Sequence, residues 1–295
     1  MPYYDREDWY EIRDIPGKGK GVIARRKIRK GSIIMLDSPG IIASAQLPMH
    51  VAPVEGFELF EGSVQMLLEK DRDDILALDG RPDVYDILQT NAFSCRFDDG
   101  GMGDEYLCLF PLVSRINHAC RPNANVKFIP RTLLMEIRAL RGILPGEEIN
   151  TSYGKVELKY AERQDLYRNN WKFVCTCDLC TAGESAIAEN DRRRERFAQL
   201  RRKLNSLTAE TYDVQRVIAW EKEVFEISEQ EGFEVIVTED MERMAYVYAG
   251  LGKRKDAILW AEKAKDNLLR WSIEENSVDD NLQRIEELLV ELGSS

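Results

Sequence analysis

Residues 115–123 read Arg-Ile-Asn-His-Ala-Cys-Arg-Pro-Asn, and the fold is decided by this stretch together with three others placed around it. Upstream, residues 17–21 form the glycine-rich run Gly-Lys-Gly-Lys-Gly. Downstream, residues 146–153 read Gly-Glu-Glu-Ile-Asn-Thr-Ser-Tyr and residues 173–180 read Phe-Val-Cys-Thr-Cys-Asp-Leu-Cys. Glycine runs and Asn-His pairs are common in ordinary turns, so the order and spacing of the four motifs carry the information.

Three cysteines crowd into six residues at Cys175, Cys177 and Cys180. In a reducing compartment, such close spacing indicates a metal site before it indicates a disulfide. Three thiolates suit a tetrahedral zinc ion, which then requires a fourth ligand from elsewhere in the chain. The spacing does not choose among the candidates for that ligand, which are His50, His118, Cys95, Cys108 and Cys120.

Taken together, the four motifs resemble those of the SET-domain lysine methyltransferases, and most of all the SET-and-MYND branch with its fungal-type relatives. The resemblance covers about residues 10–180. It implies an α+β fold in which small β-sheets surround a pseudoknot, with a helical insert, a post-SET zinc site and a C-terminal all-α domain. The chain departs from that branch at Ala119, where Ser is usual, and no Cys precedes Cys95 to supply a MYND zinc module or a cysteine-rich pre-SET region.

The same resemblance implies roles for individual residues. S-adenosylmethionine would be the methyl donor, and Tyr153 would be the catalytic residue. Cys120 would join Cys175, Cys177 and Cys180 around one structural zinc ion. The residues expected to bind the cofactor are Lys18, Gly19, Lys20, Asn91, Asn117, His118, Tyr153 and Phe173.

The resemblance, together with the apolar periodicity, divides the chain into three expected parts. Residues 1–172 are expected to form the SET domain, in which a helical insert at about 57–92 interrupts short strands. Residues 173–184 are expected to form the post-SET zinc segment, and residues 185–295 a helical domain similar to tetratricopeptide repeats.

Two further predictions, of the C-terminal helices and of an exposed basic segment, depend on shorter stretches of sequence. Phe197, Leu200 and Leu204 recur at helical spacing, and residues 245–264 resemble one tetratricopeptide repeat. The basic segment at 25–30 separates two β-branched runs. We expect it to be the exposed part of a hairpin, although it could also pass for a nuclear-import signal.

The net charge of −11 argues against direct nucleic-acid binding and favours a basic partner. Acidic residues are frequent in the insert between Glu61 and Asp86. They are compatible with a solvated helix face, and also with a protein substrate that has a basic, lysine-containing segment, which is the partner we expect. The chain has no apolar run of the roughly 18–20 residues that a membrane span needs and no signal-peptide core, so we expect no membrane partner. The expected location is intracellular, in the nucleus, the cytoplasm or both.

A second function is compatible with the sequence. The chain could be a SET-fold scaffold that has lost catalysis and binds other proteins through its helical C-terminal domain. Retention of Tyr153, Asn117 and His118 together with the four cysteines favours the enzyme, because a degenerate scaffold would be expected to have lost at least one of them.

Overall fold

The structure is a computed structural model that describes five stretches of the chain: 8–45, 53–78, 84–97, 105–271 and 276–293. These residues form two compact units. The first unit contains the described residues of 8–118 and 122–151, and the second contains 119–121, 152–271 and 276–293.

Short strands in three small sheets make up most of the first unit. The strands are β1 (Tyr10–Ile15), β2 (Gly19–Ala24), β3 (Ile33–Asp37), β4 (Ile41–Ser44), β5 (Phe93–Arg96), β6 (Glu105–Leu109), β7 (Asn117–His118), β8 (Ala124–Ile129), β9 (Leu134–Ala139) and β10 (Glu148–Thr151). The strand orders are β1-β2-β10-β7, β3-β9-β8 and β4-β6-β5. Because β10 pairs antiparallel with β2 and parallel with β7, it lies between two strands that come much earlier in the chain.

Apolar residues of different sheets share one core in the first unit. Val22 in β2, Ile137 in β9 and Ile149 in β10 are fully buried together. The hairpin expected around the basic segment is wrong, because β2 pairs with β1 and β10 whereas β3 pairs with β9. The two flanking strands belong to different sheets, and Ile28 between them is buried and bridges to Ile143.

The predicted helical insert consists of α1 (Pro53–Gln65), α2 (Glu69–Leu76) and α3 (Val84–Asn91). Apolar residues of these helices pack on the third sheet, where Val64, Ile75 and Leu109 are fully buried. The acidic residues that fall in the described part of the insert are exposed: Glu61, Glu69, Asp71, Asp73, Asp74 and Asp86. Asp79 and Asp83 lie outside the described residues.

The second unit is helical. Its helices are α4 (Tyr160–Trp171), α5 (Glu184–Asn205), α6 (Val214–Glu231), α7 (Thr238–Gly250), α8 (Arg254–Trp271) and α9 (Asn276–Gly293). The stretch that resembles a tetratricopeptide repeat spans α7 and α8, with Ala245 and Ala261 buried in a shared core. Gly252 supplies a φ of 68° in the turn between them, a conformation that favours glycine. The α+β fold predicted from the sequence is confirmed.

None of the helices in the described part of the chain combines the length and the apolar character that crossing a bilayer requires.

Candidate functional site

Four cysteine sulfurs come together in the second unit. Cys120 brings its Sγ to within 3.8 Å of Cys175 Sγ and 3.4 Å of Cys180 Sγ, and with Cys177 the four sulfurs all lie within 4.8 Å of one another. Sulfur atoms bound at about 2.3 Å to a tetrahedral zinc ion would be roughly 3.8 Å apart. The residues present therefore fit one zinc ion.

Local backbone structure explains how three of the sulfurs converge. Lys172 ends α4 in the left-handed region with a φ of 59°, which turns the chain away from the helix axis. Gln164 in α4 then holds Cys175 by a reciprocal pair, in which Nε2 donates to the Cys175 carbonyl and Oε1 accepts from its amide, both at 3.0 Å. The Cys180 amide donates to the Cys177 carbonyl at 2.8 Å and closes the turn.

The other candidate ligands lie elsewhere. Cys95 and Cys108 are buried on the neighbouring strands β5 and β6. Hydrogen bonding between these two thiols raises the pKa of Cys95. His118 is buried in β7, opposite Thr151 of β10. His50 lies outside the described residues.

The glycine-rich turn joins β1 to β2 in the first unit. Gly17 and Gly19 adopt φ values of 76° and 69°, and a Cβ added at either position would meet no atom within 4 Å. Gly21 is restricted for a different reason, because an added Cβ would lie 2.8 Å from Asn117 Nδ2. The turn is therefore open at its tip and closely packed at its base.

Asn117 ties this turn to β10. Its Nδ2 donates to the Lys20 carbonyl at 3.1 Å and to Glu148 Oε1 at 2.9 Å. The second oxygen of Glu148 accepts from Lys18 Nζ at 2.8 Å. Glu148 therefore holds the Lys18 ammonium and the Asn117 amide at the same time, a role that the sequence motif alone did not reveal.

Asn123, the last residue of the decisive stretch, is completely buried and bridges to β10. Its Nδ2 donates to the Glu148 carbonyl at 2.8 Å, and its Oδ1 accepts from the Asn150 amide at 2.8 Å. Sequence reasoning gave this residue no role. The structure shows that its side chain bonds two backbone groups of β10.

Asn91 closes α3 in the first unit. Its Nδ2 donates to the Ile87 carbonyl at 2.8 Å, and its own carbonyl accepts from Ser114 Oγ at 3.1 Å. The side-chain amide of Asn91 is thus engaged by its own helix in this structure.

Tyr153 and Phe173 belong to an aromatic cluster beside the cysteines in the second unit. The Tyr153 ring centroid lies 5.3 Å from that of Trp171 and 6.2 Å from that of Phe173. Phe173 stacks on Tyr167 at 5.3 Å with an interplanar angle of 4°, so one of its two faces is covered. The expected contact of Phe173 with the cofactor would have to use the other face.

Tyr167 is a further residue that the sequence did not single out. It is 1% exposed, and its hydroxyl lies 3.8 Å from Cys120 Sγ. Burial, followed by the charge of Cys120, raises the pKa of the Tyr167 hydroxyl, which stays protonated and able to donate to sulfur.

Comparisons with known proteins agree with this geometry. Residues 19–154 match the SET domain family. A relative named histone-lysine N-methyltransferase set5, from Schizosaccharomyces pombe, is 29% identical over 64% of this chain and 56% of its own length. Human N-lysine methyltransferase SMYD2 is 33% identical over 34% of this chain and 23% of its own length. The histone-lysine N-methyltransferase SET5 of Yarrowia lipolytica is 41% identical over 24% of this chain and 16% of its own length.

The chain thus spans between about a sixth and just over half of the length of these relatives. The matched part contains the turn residues Gly19 and Lys20, the Asn117–His118 pair and Tyr153. On this match, residues 19–154 of the chain are a SET domain, the part of the chain in which its similarity to known proteins is concentrated.

Proposed function

We propose that this chain is a protein-lysine methyltransferase that takes its methyl group from S-adenosylmethionine. The observation that carries the proposal is the SET-domain match over residues 19–154, which includes Tyr153. The names of the relatives from Schizosaccharomyces pombe and human, both lysine methyltransferases, support it.

Residues of the first unit fit part of a cofactor site. The open backbone at Gly19 leaves room for a close approach. The ammonium groups of Lys18 and Lys20, which pair with Glu148 and Asp14 in this structure, would take a carboxylate such as that of a methionine tail as a further or alternative partner. When bound, the cofactor would supply a methyl group on a positively charged sulfur. Asn117, His118 and Asn91 are the further residues of this unit that we propose as cofactor contacts.

In the second unit we assign Tyr153 to catalysis and Phe173 to binding of the cofactor. A lysine amine has a pKa of about 10.4 in water and must be neutral to attack. Desolvation favours the neutral amine, and the Tyr153 hydroxyl would orient it for in-line transfer without acting as a strong base. The resemblance carries these roles, and the partly buried position of Tyr153 in the aromatic cluster supports them.

Zinc is the second proposed cofactor. The four sulfurs within 4.8 Å of one another support binding of one structural ion by Cys120, Cys175, Cys177 and Cys180. Such an ion would join the segment after β7 to the segment after α4 and stabilise the fold around Tyr153.

The exposed acidic side chains of the insert support a substrate with a basic, lysine-containing segment. A histone and a non-histone protein both meet this description. We also propose that the helices after Glu184 bind protein partners, and that the chain works in the nucleus, the cytoplasm or both.

The test is to incubate the full chain with isotopically labelled S-adenosylmethionine and a mixture of basic proteins, and to search for labelled methyl-lysine by mass spectrometry. Label on lysine is the expected result. Cofactor binding without any methyl-lysine, or no cofactor binding at all, would contradict the enzyme and favour the inactive scaffold.

A further inference from the structure

Two fully buried arginines lie side by side in the second unit. Arg163, in α4, is 1% exposed, and Arg194, in α5, has no exposed surface. Each donates from Nη1 to the same backbone carbonyl, that of Leu158, at 2.5 Å and 3.2 Å. Two cations that share one carbonyl in a buried setting repel each other, so the arrangement requires negative charge nearby.

The carboxylates of the unit do not supply enough of that charge. Glu231 is buried and lies 3.3 Å from Arg194, but its oxygens also lie 2.6 Å from Arg193 and 3.6 Å from Arg121. In the described part of the chain, no carboxylate lies within salt-bridge distance of Arg163. Asp191 contributes negative charge to Arg163 without a salt bridge, so a closer counter-charge has to come from another kind of group.

Two further nitrogen atoms of Arg163 can donate hydrogen bonds. Its Nε and Nη2 are buried and have no hydrogen-bond partner with regular geometry among the described residues. Leaving such donors unpaired is costly, so a partner is expected in the working protein.

The cysteine sulfurs lie in the right place to be that partner. Gln164, the residue after Arg163 in α4, bonds both backbone groups of Cys175 at 3.0 Å, so this part of α4 lies against the four-cysteine cluster. The Arg163 guanidinium interacts with Cys120 and Cys180 and also with the carboxylate of Asp191. The sulfur of Cys180 is thus within range of the guanidinium, although Nε and Nη2 do not yet make regular bonds to it. Four thiolates around one zinc ion carry roughly two negative charges, which two buried arginines can offset.

We propose that Arg163 is the buried counter-charge of the four-cysteine site, and that its Nε–H and Nη2–H groups donate to the sulfurs of Cys180 and Cys120 when the metal is bound. These bonds hold the ligands in place and slow the loss of metal. Arg163 is therefore a positioning residue. The inference rests on the zinc binding proposed above.

The first test compares Arg163→Gln with Arg168→Gln. Both substitutions remove one positive charge from α4, but Arg168 is about half exposed and pairs with Asp165 at the surface. Zinc release from the full-length protein is followed with a zinc-sensitive dye after addition of a thiol-modifying reagent, and circular dichroism confirms that each variant is folded. We expect release from Arg163→Gln to be about 10- to 100-fold faster than from wild type, with Arg168→Gln unchanged. Release within about twofold of wild type from folded Arg163→Gln would overturn the inference.

A second measurement does not depend on whether that variant folds. In wild-type protein loaded with a spin-active cadmium isotope, a hydrogen bond from nitrogen to a metal-bound sulfur transmits scalar coupling from the metal to the proton. We expect coupling to the side-chain N–H protons of Arg163. If the metal-loaded protein shows no such coupling, for example because a buried water accepts from these donors, the inference is overturned and the zinc proposal is not affected. A wild-type chain that binds neither zinc nor cadmium would contradict the zinc proposal as well.

Discussion

Replacing Asn123 by Ala tests how β10 is held in the first unit. The side chain of Asn123 is completely buried and makes two hydrogen bonds of 2.8 Å, to the Glu148 carbonyl and from the Asn150 amide. The substitution leaves both backbone groups without these partners, and each unsatisfied buried group costs about 1–3 kcal/mol. Because β10 is only partly buried, we expect a loss of about 2–4 kcal/mol in the free energy of unfolding of this unit. That is a large share of the roughly 5–15 kcal/mol of a typical domain.

Hydrogen exchange read by mass spectrometry locates the effect. A loss of about 2 kcal/mol corresponds to roughly 30-fold faster exchange, and we expect it in peptides that cover β7 and β10. The control is Asn170→Ala, which removes an exposed amide from α4. Asn123→Asp would put a buried carboxylate oxygen where Nδ2 now donates to the Glu148 carbonyl at 2.8 Å and to Glu147 Oε1 at 3.3 Å, so a loss at least as large as that of Asn123→Ala is expected. Exchange in Asn123→Ala equal to wild type in these peptides would refute the reasoning.

Three further predictions concern metal, pH and salt. Cys120→Ser should lower the zinc content from about one ion per chain, measured by metal analysis, and an unchanged content would exclude Cys120 as a ligand. Burial raises the pKa of Glu221 to about 8, so the folded protein binds more protons than the unfolded chain, and stability should fall as the pH rises from about 4.5 to 8. Glu221→Gln should flatten that fall, at about 1.4 kcal/mol per unit of pKa shift, in urea unfolding at several pH values; an equal slope in both proteins would contradict this. Changing Asp71, Asp73 and Asp74 to Asn should slow methylation of a basic peptide at low salt and match wild type at high salt, whereas identical salt profiles would exclude steering by the insert.

Three members of the four-cysteine cluster and the main elements could be predicted from the sequence because they depend on local patterns. Three thiols within six residues indicate a metal whatever surrounds them. The apolar spacing of Phe197, Leu200 and Leu204 predicts one buried face of α5, and all three side chains are buried. Placing Cys120 in this cluster required the family resemblance, because 55 residues separate it from Cys175.

The features that the sequence did not predict depend on contacts between distant segments. Glu148 gains its role when β10 lies beside β7, and Asn123 gains its role when β10 lies beside the segment between β7 and β8. The motifs give no sign of either contact. Arg163 and Arg194 occupy charge-rich helices that, from sequence, would be assigned to a solvated surface. Their complete burial follows from the charge and packing around them in the second unit, which no local pattern encodes.

The central claim is methyl transfer to lysine with Tyr153 as the catalytic residue. The most direct measurement is the rate of methyl-lysine formation on a basic peptide, together with the affinity for S-adenosylmethionine, in wild type, Tyr153→Phe and the control Tyr212→Phe, in which Tyr212 is half exposed. We expect wild type and the control to form methyl-lysine at similar rates, and Tyr153→Phe to bind the cofactor nearly as well but react at least about 100-fold more slowly. Equal rates in wild type and Tyr153→Phe would contradict the role of Tyr153, and the absence of methyl-lysine from the wild type on every basic protein tested would contradict the function itself.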